Sequence, residues 1–211
     1  MPVPGTHAFM GRWEKYFRED RRVLTSPPSL CARRAVEFFR ARGARLVLDL
    51  GCGAGRDTVY LAEAGLRMIA ADIERAGLAL ARDRCAEKAL PVHLLQADTR
   101  ALPFPDAAFD GIYSFGLLHD FTSMERDSDI RRAMAEIHRA LRPGGFLVLA
   151  VLSGDFRFSL PDVYLFSGAM FHDATKDFEP IELKEYEDTG CTGKTDYKVW
   201  YGAFLKKGDP T

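Results

Sequence analysis

Residues 46–57, which read Leu-Val-Leu-Asp-Leu-Gly-Cys-Gly-Ala-Gly-Arg-Asp, decide the fold of this chain. The first five are mostly apolar and predict a buried strand, and residues 56–64 predict a helix. Between them lie three alternate glycines, Gly51, Gly53 and Gly55. Such a turn lets a ligand approach the backbone, because glycine has no Cβ and tolerates positive φ. Several kinds of nucleotide-binding protein share this arrangement, so the rest of the chain must indicate the ligand.

Strands and helices alternate along the chain around this stretch. Further strands are predicted at 67–71, 92–96, 109–115, 146–152, 181–187 and 197–205, and further helices at 30–42, 75–89, 129–141 and 168–176. Apolar strands separated by helices are typical of a parallel sheet covered on both faces. The last two strands are joined by a loop too short for a crossover helix, so they must be antiparallel. The sequence predicts an α/β domain with a mostly parallel sheet and an antiparallel last strand.

Composition excludes several classes of protein. The chain has 211 residues, 47% hydrophobic and 28% charged, which suits one globular domain. A net charge of −1 gives no bulk attraction to nucleic acid or to an anionic membrane. The four cysteines form no CxxC pair, so we expect neither a metal site nor disulfides, and a reducing cytoplasmic compartment. The longest apolar run, 145–152, is far shorter than a membrane span.

The N-terminal segment carries a second, smaller pattern. A helix is predicted at 9–20, with three aromatic residues on one side: Trp13, Tyr16 and Phe17. These rings either pack as part of that helix or form a lid over a ligand site, and both hold if the helix lies across the strand ends. We expect one domain over 1–211, with 1–28 as a helical lid segment and 29–211 as the core.

Polar residues follow the predicted strands at the edge where open α/β sheets bind ligands. Asp72 follows the second strand, where a carboxylate accepts both hydroxyls of a ribose or caps the next helix. Asp98, with Thr99, follows the third strand, where it accepts from an exocyclic amine such as adenine N6 or caps a turn. The fourth strand ends at Ser114 and Phe115. These positions fit a bound nucleoside.

Two carboxylates beside the glycine turn argue against a phosphate ligand. Asp49 lies two residues before the first glycine and Asp57 two after the last. Negative charge there opposes a phosphate and favours a ligand that carries an ammonium group. The turn also differs from the GxGxxG dinucleotide fingerprint, and no Gly-Lys-Ser/Thr follows it. The predicted ligand is a nucleoside with an amino-acid end and no phosphates.

Five motifs in order resemble a known family. They are VLDLGCGAGRDT at 47–58, ADI at 71–73, QAD at 96–98, ALPFPDAAFDGIYS at 101–114 and LRPGGFLVLAV at 141–151. Together they resemble class I S-adenosylmethionine-dependent methyltransferases over about residues 35–205. The Gly-Arg-Asp-Thr variant and the N-terminal Trp-Glu-Lys-Tyr-Phe are similar to the tellurite-resistance and thiopurine methyltransferase branch.

The resemblance implies a Rossmann-like seven-stranded sheet, S-adenosyl-L-methionine as cofactor, and roles for matching positions. The glycines would line the methionine part, Asp49 would help hold its ammonium, and Ser114 would offer backbone near the sulfonium. Asp72 would bind the ribose, Ile73 would lie against the adenine and Asp98 would face the adenine amine. The implied cofactor-binding set is Asp49, Gly51, Cys52, Gly53, Gly55, Arg56, Asp72, Ile73, Asp98, Thr99, Ser114 and Phe115.

The implied reaction is an in-line methyl transfer, in which the cofactor already carries an activated methyl group. A thiol or another soft anion would need no base, whereas an alcohol or a protonated amine would benefit from one. The candidate catalytic residues are His119 and Asp120, which follow the fourth strand, and Tyr16 of the lid segment. Alternatively, His119 is a polar lining residue and Asp120 caps a helix.

We expect a small-molecule methyl acceptor, because the charge is near neutral and no recognition domain is appended. The alternatives are a protein side-chain methyltransferase, a nicotinamide-dependent oxidoreductase, and a cofactor-binding module without catalysis. The acceptor pocket is expected in three weakly patterned segments, 6–26, 117–128 and 153–175. The oligomeric state has no sequence signal.

Overall fold

A computed structural model describes residues 7–20, 22–121, 125–154, 163–188 and 197–207. The helices are α1 (His7–Glu19), α2 (Arg22–Thr25), α3 (Leu30–Ala41), α4 (Arg56–Glu63), α5 (Arg75–Glu87), α6 (Arg126–Ala140) and α7 (Gly168–Ala174), with a 3₁₀ turn at Leu118–Asp120. The strands are β1 (Leu46–Leu50), β2 (Arg67–Asp72), β3 (His93–Gln96), β4 (Phe109–Phe115), β5 (Leu141–Leu152), β6 (Glu179–Asp188) and β7 (Tyr197–Leu205). The bounds of β1, β4 and β7 match the sequence prediction.

The seven strands form one sheet in the order β3-β2-β1-β4-β5-β7-β6. Strands β1 to β5 pair in parallel, whereas β7 is antiparallel to both β5 and β6. The predicted α/β sheet with an antiparallel last strand is confirmed. Strand order reverses beside β1, which has β2 on one side and β4 on the other. In open α/β sheets, ligands bind outside the carboxyl ends of the strands at such a reversal.

Helices cover both faces of the sheet, as predicted. Alternate side chains of β1 point to opposite faces, because the side-chain period of a strand is two. Leu48 and Leu50 pack with α6 and α7, and Val47 packs with α3 and α4. Ser29 caps α3, because its hydroxyl accepts the amide of Ala32 at 2.9 Å. No helix in the described ranges is both long and apolar enough to cross a membrane.

One predicted boundary is wrong. The helix expected to reach Leu141 ends at Ala140, and the strand expected from Phe146 begins at Leu141. The Pro-Gly-Gly run lies inside β5 as a bulge, because Phe109 pairs with Leu141 and Gly111 pairs with Phe146. Lys206 stabilises this bulge by accepting the amide of Gly144 at 2.9 Å and by donating from Nζ to the carbonyls of His138 and Leu141. Contacts distant in sequence therefore hold the Pro-Gly-Gly run inside the strand, where the sequence predicted a break between helix and strand.

Candidate functional site

The glycine turn connects β1 to α4 at the reversal of strand order. Gly51, Gly53 and Gly55 have φ values of 81°, 51° and 75°, a region that favours glycine. A Cβ on Gly55 would lie 2.8 Å from the Cβ of Ala81, and a Cβ on Gly77 would lie 3.0 Å from the carbonyl of Gly53. The first helical turns of α5 thus pack directly on the glycine turn. Gly55 serves this packing, while Gly51 and Gly53 face other elements.

Helix α1 lies across the glycine turn. A Cβ on Gly53 would lie 3.1 Å from the ring of Phe17, and one on Gly77 would lie 2.9 Å from it. On the β4 side of β1, Trp13 Nε1 donates to Oδ2 of Asp120, which lies in the 3₁₀ turn after β4, at 3.0 Å. The helix therefore bridges the start of α5 and the segment after β4. This position fits both predicted roles of its aromatic residues, packing and covering the strand ends.

Asp49 is the buried carboxylate of β1. It is 2% exposed, shares a face of the strand with Val47, and accepts a hydrogen bond from the hydroxyl of Thr58 on α4. Burial first, with the charges of Asp57 and Asp72, raises the pKa of Asp49 to about 7 against the lowering effect of Thr58. An ammonium group brought near Asp49 would favour its ionised form.

Asp57 does not act as the sequence argument assumed. Its carboxylate accepts hydrogen bonds from the amide and hydroxyl of Ser29 and from the hydroxyl of Tyr113, at 2.7–2.9 Å. Arg56 pairs with it at 3.0 Å. Burial opposes its ionisation, but Arg56 and these hydrogen bonds lower the pKa of Asp57. Its charge is neutralised within the fold, so Asp57 gives no argument against phosphate.

Asp72 is the last residue of β2 and ties the glycine turn to α5. Its Oδ2 accepts the amide of Gly53 at 2.7 Å and its Oδ1 accepts the amide of Glu74 at 2.8 Å. Burial raises the pKa of Asp72, while those two backbone hydrogen bonds oppose the rise. Each oxygen still has acceptor capacity, because a carboxylate oxygen has two lone-pair sites.

Glu74 is a buried acid that the sequence reasoning missed. It precedes α5 at the N-cap position without making a side-chain capping bond, and it is 5% exposed. Within the described part of the chain, its Oε1 has no hydrogen-bond partner. Burial first, then the charges of Asp72 and Glu14, raise the pKa of Glu74 to about 7. Its sequence signal is the residue type at the N-cap, because Ser, Thr, Asp or Asn is preferred there and this helix has a glutamate.

Asp98 follows β3 and is held by a buried arginine. Arg100 donates from its amide and Nε to Oδ1 of Asp98 and from Nη2 to Oδ2, at 2.7–3.0 Å. The same guanidinium reaches Asp129 of α6 at 3.1 Å. Burial opposes ionisation of Asp98, but the bonds and charge of Arg100 lower its pKa. Nε also donates to Oδ2 at 3.2 Å, so each oxygen of Asp98 accepts two hydrogen bonds from Arg100.

The remaining predicted cofactor positions surround the same strand ends. Ser114 is fully buried and donates to the carbonyl of Leu50 at 2.9 Å, which joins β4 to β1. The guanidinium carbon of Arg56 lies 5.2 Å from the ring centre of Phe115. The carbonyl of Ile73 accepts a bond from Gln96 at 2.9 Å. Cys52 and Thr99 are buried, and burial first, then Asp72 and Asp49, raises the pKa of the Cys52 thiol.

The three candidate catalytic residues have different surroundings. His119 Nδ1 accepts the amide of Leu152 at 3.2 Å, so a neutral ring carries its proton on Nε2 and presents a donor there, not a base. Asp120 accepts the indole of Trp13. Tyr16 contacts the rings of Trp13 and Phe17, with ring centres 5.3 and 5.7 Å away. The geometry disfavours the predicted base role of His119.

An open depression of about 420 Å³ lies on α1 and is lined by Lys15, Tyr16, Glu19 and Asp20. None of its lining residues comes from the strand ends. It therefore lies apart from the glycine turn and the carboxylates, and we place the candidate site beneath α1, where these groups converge.

The strand order, the glycine turn and the flanking carboxylates define a nucleoside-binding α/β domain. A family profile described as a methyltransferase domain matches residues 48–149. The chain is 33% identical over 170 residues to O-methyltransferase rstn1 of Aspergillus nomiae, covering 78% of this chain and 69% of that protein. The chain belongs to the class I S-adenosylmethionine-dependent methyltransferases.

Two further similarities agree with this membership. The chain is 37% identical over 120 residues to demethylmenaquinone methyltransferase of Thermus thermophilus, covering 56% of this chain and 51% of that protein. The structure of 1,6-didemethyltoxoflavin-N1-methyltransferase of Burkholderia thailandensis, solved with 1,6-didemethyltoxoflavin and S-adenosylhomocysteine, superposes with a TM-score of 0.74 at 22% identity. It covers 99% of this chain and 93% of that one, and it shows the shared fold alone. The chain spans about half the length, or less, of several curated relatives it matches.

Proposed function

We propose that this chain binds S-adenosyl-L-methionine and transfers its methyl group to a small-molecule acceptor. The observation that supports this best is the convergence of Asp49, Asp72 and Asp98 around the glycine turn, at or just after the ends of three adjacent strands. A sulfonium nucleoside with an amino-acid end offers an ammonium, a ribose diol and an adenine amine. Each of these is a hydrogen-bond donor that suits a carboxylate.

The residues present fit such a cofactor. Gly51 and Gly53 have no Cβ, which lets Leu117 and Phe17 lie close to the backbone of the turn, and a ligand bound there would contact these two side chains. The negative charge of Asp49, next to the turn, would attract the ammonium group. Asp72 would accept hydrogen bonds from the ribose hydroxyls, and Asp98 would accept one from the adenine amine. Ser114, Ile73 and Phe115 would complete the surface around it.

When bound, the cofactor supplies an activated methyl group. The chain's own contribution is to align the acceptor and to exclude water. Helix α1 covers the strand ends through Trp13 and Phe17, which suits the exclusion of water. Because His119 Nδ1 accepts the amide of Leu152, a neutral ring carries its proton on Nε2 and does not supply a base. We therefore propose an acceptor atom that is already nucleophilic, such as a thiolate, a phenolate or an enolate.

A small acceptor is supported by the name of one relative, and an oxygen as the attacked atom by the name of another. The names of the Thermus thermophilus and Aspergillus nomiae proteins describe methyl transfer to demethylmenaquinone and to oxygen, respectively. The near-neutral charge of −1 also gives no bulk attraction to nucleic acid. The similarity to the tellurite-resistance and thiopurine branch stays a prediction, and a thiol acceptor would agree with it.

Calorimetry and a product assay test the proposal. We expect S-adenosylmethionine and S-adenosylhomocysteine to bind, and NADH not to bind. We also expect S-adenosylhomocysteine to form in the presence of a panel of thiols, phenols and enolisable ketones. Binding of NADH without binding of S-adenosylmethionine would overturn the cofactor assignment. Cofactor binding with product formation only on a peptide library would replace the small acceptor by a protein side chain.

A further inference from the structure

Glu74 is buried at the point where β2 joins α5 and lies beneath α1. Its side chain is 5% exposed, and Oε1 lacks a hydrogen-bond partner among the described residues. Although Glu74 occupies the N-cap position of α5, its side chain makes no capping bond to that helix. The carboxylate thus serves neither the helix end nor a described ion pair.

The charges nearest Glu74 make its burial costly. Asp72, two residues earlier, and Glu14 of α1 are both carboxylates that act on it electrostatically. Glu14 pairs with Arg18 of the same helix at 2.9 Å, so that cation is engaged on α1. Asp72 is bound by the amides of Gly53 and of Glu74 itself. The surroundings therefore favour a hydrogen-bond donor from outside the described chain.

A buried, unsatisfied polar atom in a native fold calls for a specific explanation, because leaving it without a partner costs free energy. Glu74 lies beside the carboxylate that is expected to face the ribose, and a ribose carries two adjacent hydroxyl donors. We propose that Glu74 is a second ribose-binding residue, whose Oε1 accepts a hydrogen bond from a cofactor hydroxyl. This inference rests on the proposed function. It assigns the two ribose hydroxyls to two acceptors, Glu74 and Asp72.

The division follows from what Asp72 already does. Each of its oxygens accepts one backbone amide, so one lone-pair site on each remains for the ribose. Oε1 of Glu74 has no such commitment in the described ranges. Ribose recognition in this chain is therefore shared between a carboxylate that also holds the glycine turn and one that does not.

Calorimetry with S-adenosylhomocysteine and its 2′,3′-dideoxy analogue tests the inference. The variants are Glu74→Ala, Glu74→Gln and the control Glu87→Gln, which changes an exposed acid of the same helix. We expect Glu74→Ala to weaken S-adenosylhomocysteine binding roughly tenfold or more, because a hydrogen bond to a charged group is lost. Glu74→Gln keeps a neutral acceptor and should lose less. Neither variant should change binding of the dideoxy analogue.

Thermal unfolding without ligand provides the second measurement. Glu74→Gln removes a buried negative charge that has carboxylate neighbours, so its melting temperature should equal or exceed that of the wild type. Unchanged S-adenosylhomocysteine affinity in both Glu74 variants would overturn the inference. Equal losses for S-adenosylhomocysteine and the dideoxy analogue, with a lower melting temperature, would overturn it in favour of a structural role. Absence of binding to the wild type would instead overturn the proposed function.

Discussion

The carboxylates on the two sides of the candidate site are stabilised in opposite ways. Beside the glycine turn, Asp49, Asp72 and Glu74 (the turn carboxylates) have raised pKa values, caused first by burial. After β3, Asp98 has a lowered pKa because Arg100 outweighs its burial. The fold thus leaves negative charge uncompensated at one side and neutralises it at the other.

This difference indicates how the two sides would treat a ligand. Removing a carboxylate from water is costly unless donors replace the water, so the turn carboxylates gain most from a ligand that brings donors. Asp98 already receives four hydrogen bonds from Arg100 at 2.7–3.2 Å and gains less. We therefore expect the turn side to contribute more to cofactor affinity and the Asp98 side to contribute more to fold stability.

The largest expected effect comes from removing Arg100. Its side chain is 10% exposed and joins Asp98 to Asp129, so Arg100→Ala leaves a partly buried and a buried carboxylate without their shared cation. We expect a loss of about 3–5 kcal/mol in the free energy of unfolding, measured by urea denaturation. The matched control is Arg82→Ala, whose pair with Asp83 is exposed and should be worth less than about 1 kcal/mol. Equal losses of unfolding free energy in Arg100→Ala and Arg82→Ala would contradict the view that Arg100 stabilises the Asp98 side of the site.

The next effect is a difference in pH dependence. The folded pKa of Asp49 is about 7, above its unfolded value, so its contribution to stability is fully present near pH 4 and is lost as pH rises to 7. Each pKa unit corresponds to about 1.4 kcal/mol. Relative to Asp49→Asn, we expect the wild type to lose up to a few kcal/mol of unfolding free energy across this range. Urea denaturation at several pH values measures it.

Asp98 should show the opposite sign. Because its folded pKa is lowered, its contribution is present above the unfolded pKa and is lost as pH falls below about 4. The difference in unfolding free energy between the wild type and Asp98→Asn should therefore shrink below about pH 4. The corresponding difference for Asp49→Asn should change between pH 4 and 7. Parallel pH profiles for the two variants would show that both sides of the site respond alike.

Cofactor affinity tests the contrast from the ligand's side. Asp72→Ala should weaken S-adenosylhomocysteine binding roughly tenfold or more, because hydrogen bonds to a charged group are worth about 1.5–3 kcal/mol each. Asp98→Ala should weaken binding less while lowering the melting temperature more. Calorimetry and thermal unfolding on both variants measure the two effects, and Asp83→Ala on exposed α5 surface is the control. A larger loss of affinity in Asp98→Ala than in Asp72→Ala would show that the Asp98 side contributes more to cofactor binding, which contradicts our expectation.

The sequence predicts the scaffold of this site because its signals are local. Apolar content places β1, β4 and β7 at their observed bounds, and the observed caps Ser29 and Ser167 are local as well, since each precedes its helix directly. The alternation of strands and helices is enough to predict the parallel sheet. The β5 bulge was missed, because Lys206 and Asp110, both distant in sequence, hold the Pro-Gly-Gly run in the sheet.

The electrostatics of the site depend on contacts that sequence spacing does not reveal. Asp57 is near the glycines in sequence, yet its side chain binds Ser29 and Tyr113 on the other side of α4. Glu74 is buried beneath a helix about sixty residues earlier, and Asp129 reaches Arg100 from α6. A residue type at a strand end predicts which chemistry is present. The tertiary neighbours then decide whether its charge is compensated.

The smallest expected effect concerns the helix that covers both sides. Trp13→Phe keeps an aromatic ring and removes the hydrogen bond to Asp120, which should cost about 0.5–1.5 kcal/mol of local stability. Hydrogen exchange should then show lower protection of α1 amides, with little change in β1 or β4. Lys15→Ala, an exposed substitution on the same helix, should leave that protection nearly unchanged.

The same exchange experiment with S-adenosylhomocysteine separates a lid from a packing helix. If α1 covers a bound cofactor, ligand should restore the protection that Trp13→Phe removes, because opening the helix would then also expose the ligand. If α1 only packs on α5, ligand should protect the glycine turn and leave α1 protection in Trp13→Phe unchanged. Since Phe17 packs against Gly53 and Gly77, any α1 protection that remains in Trp13→Phe without ligand measures the packing contribution.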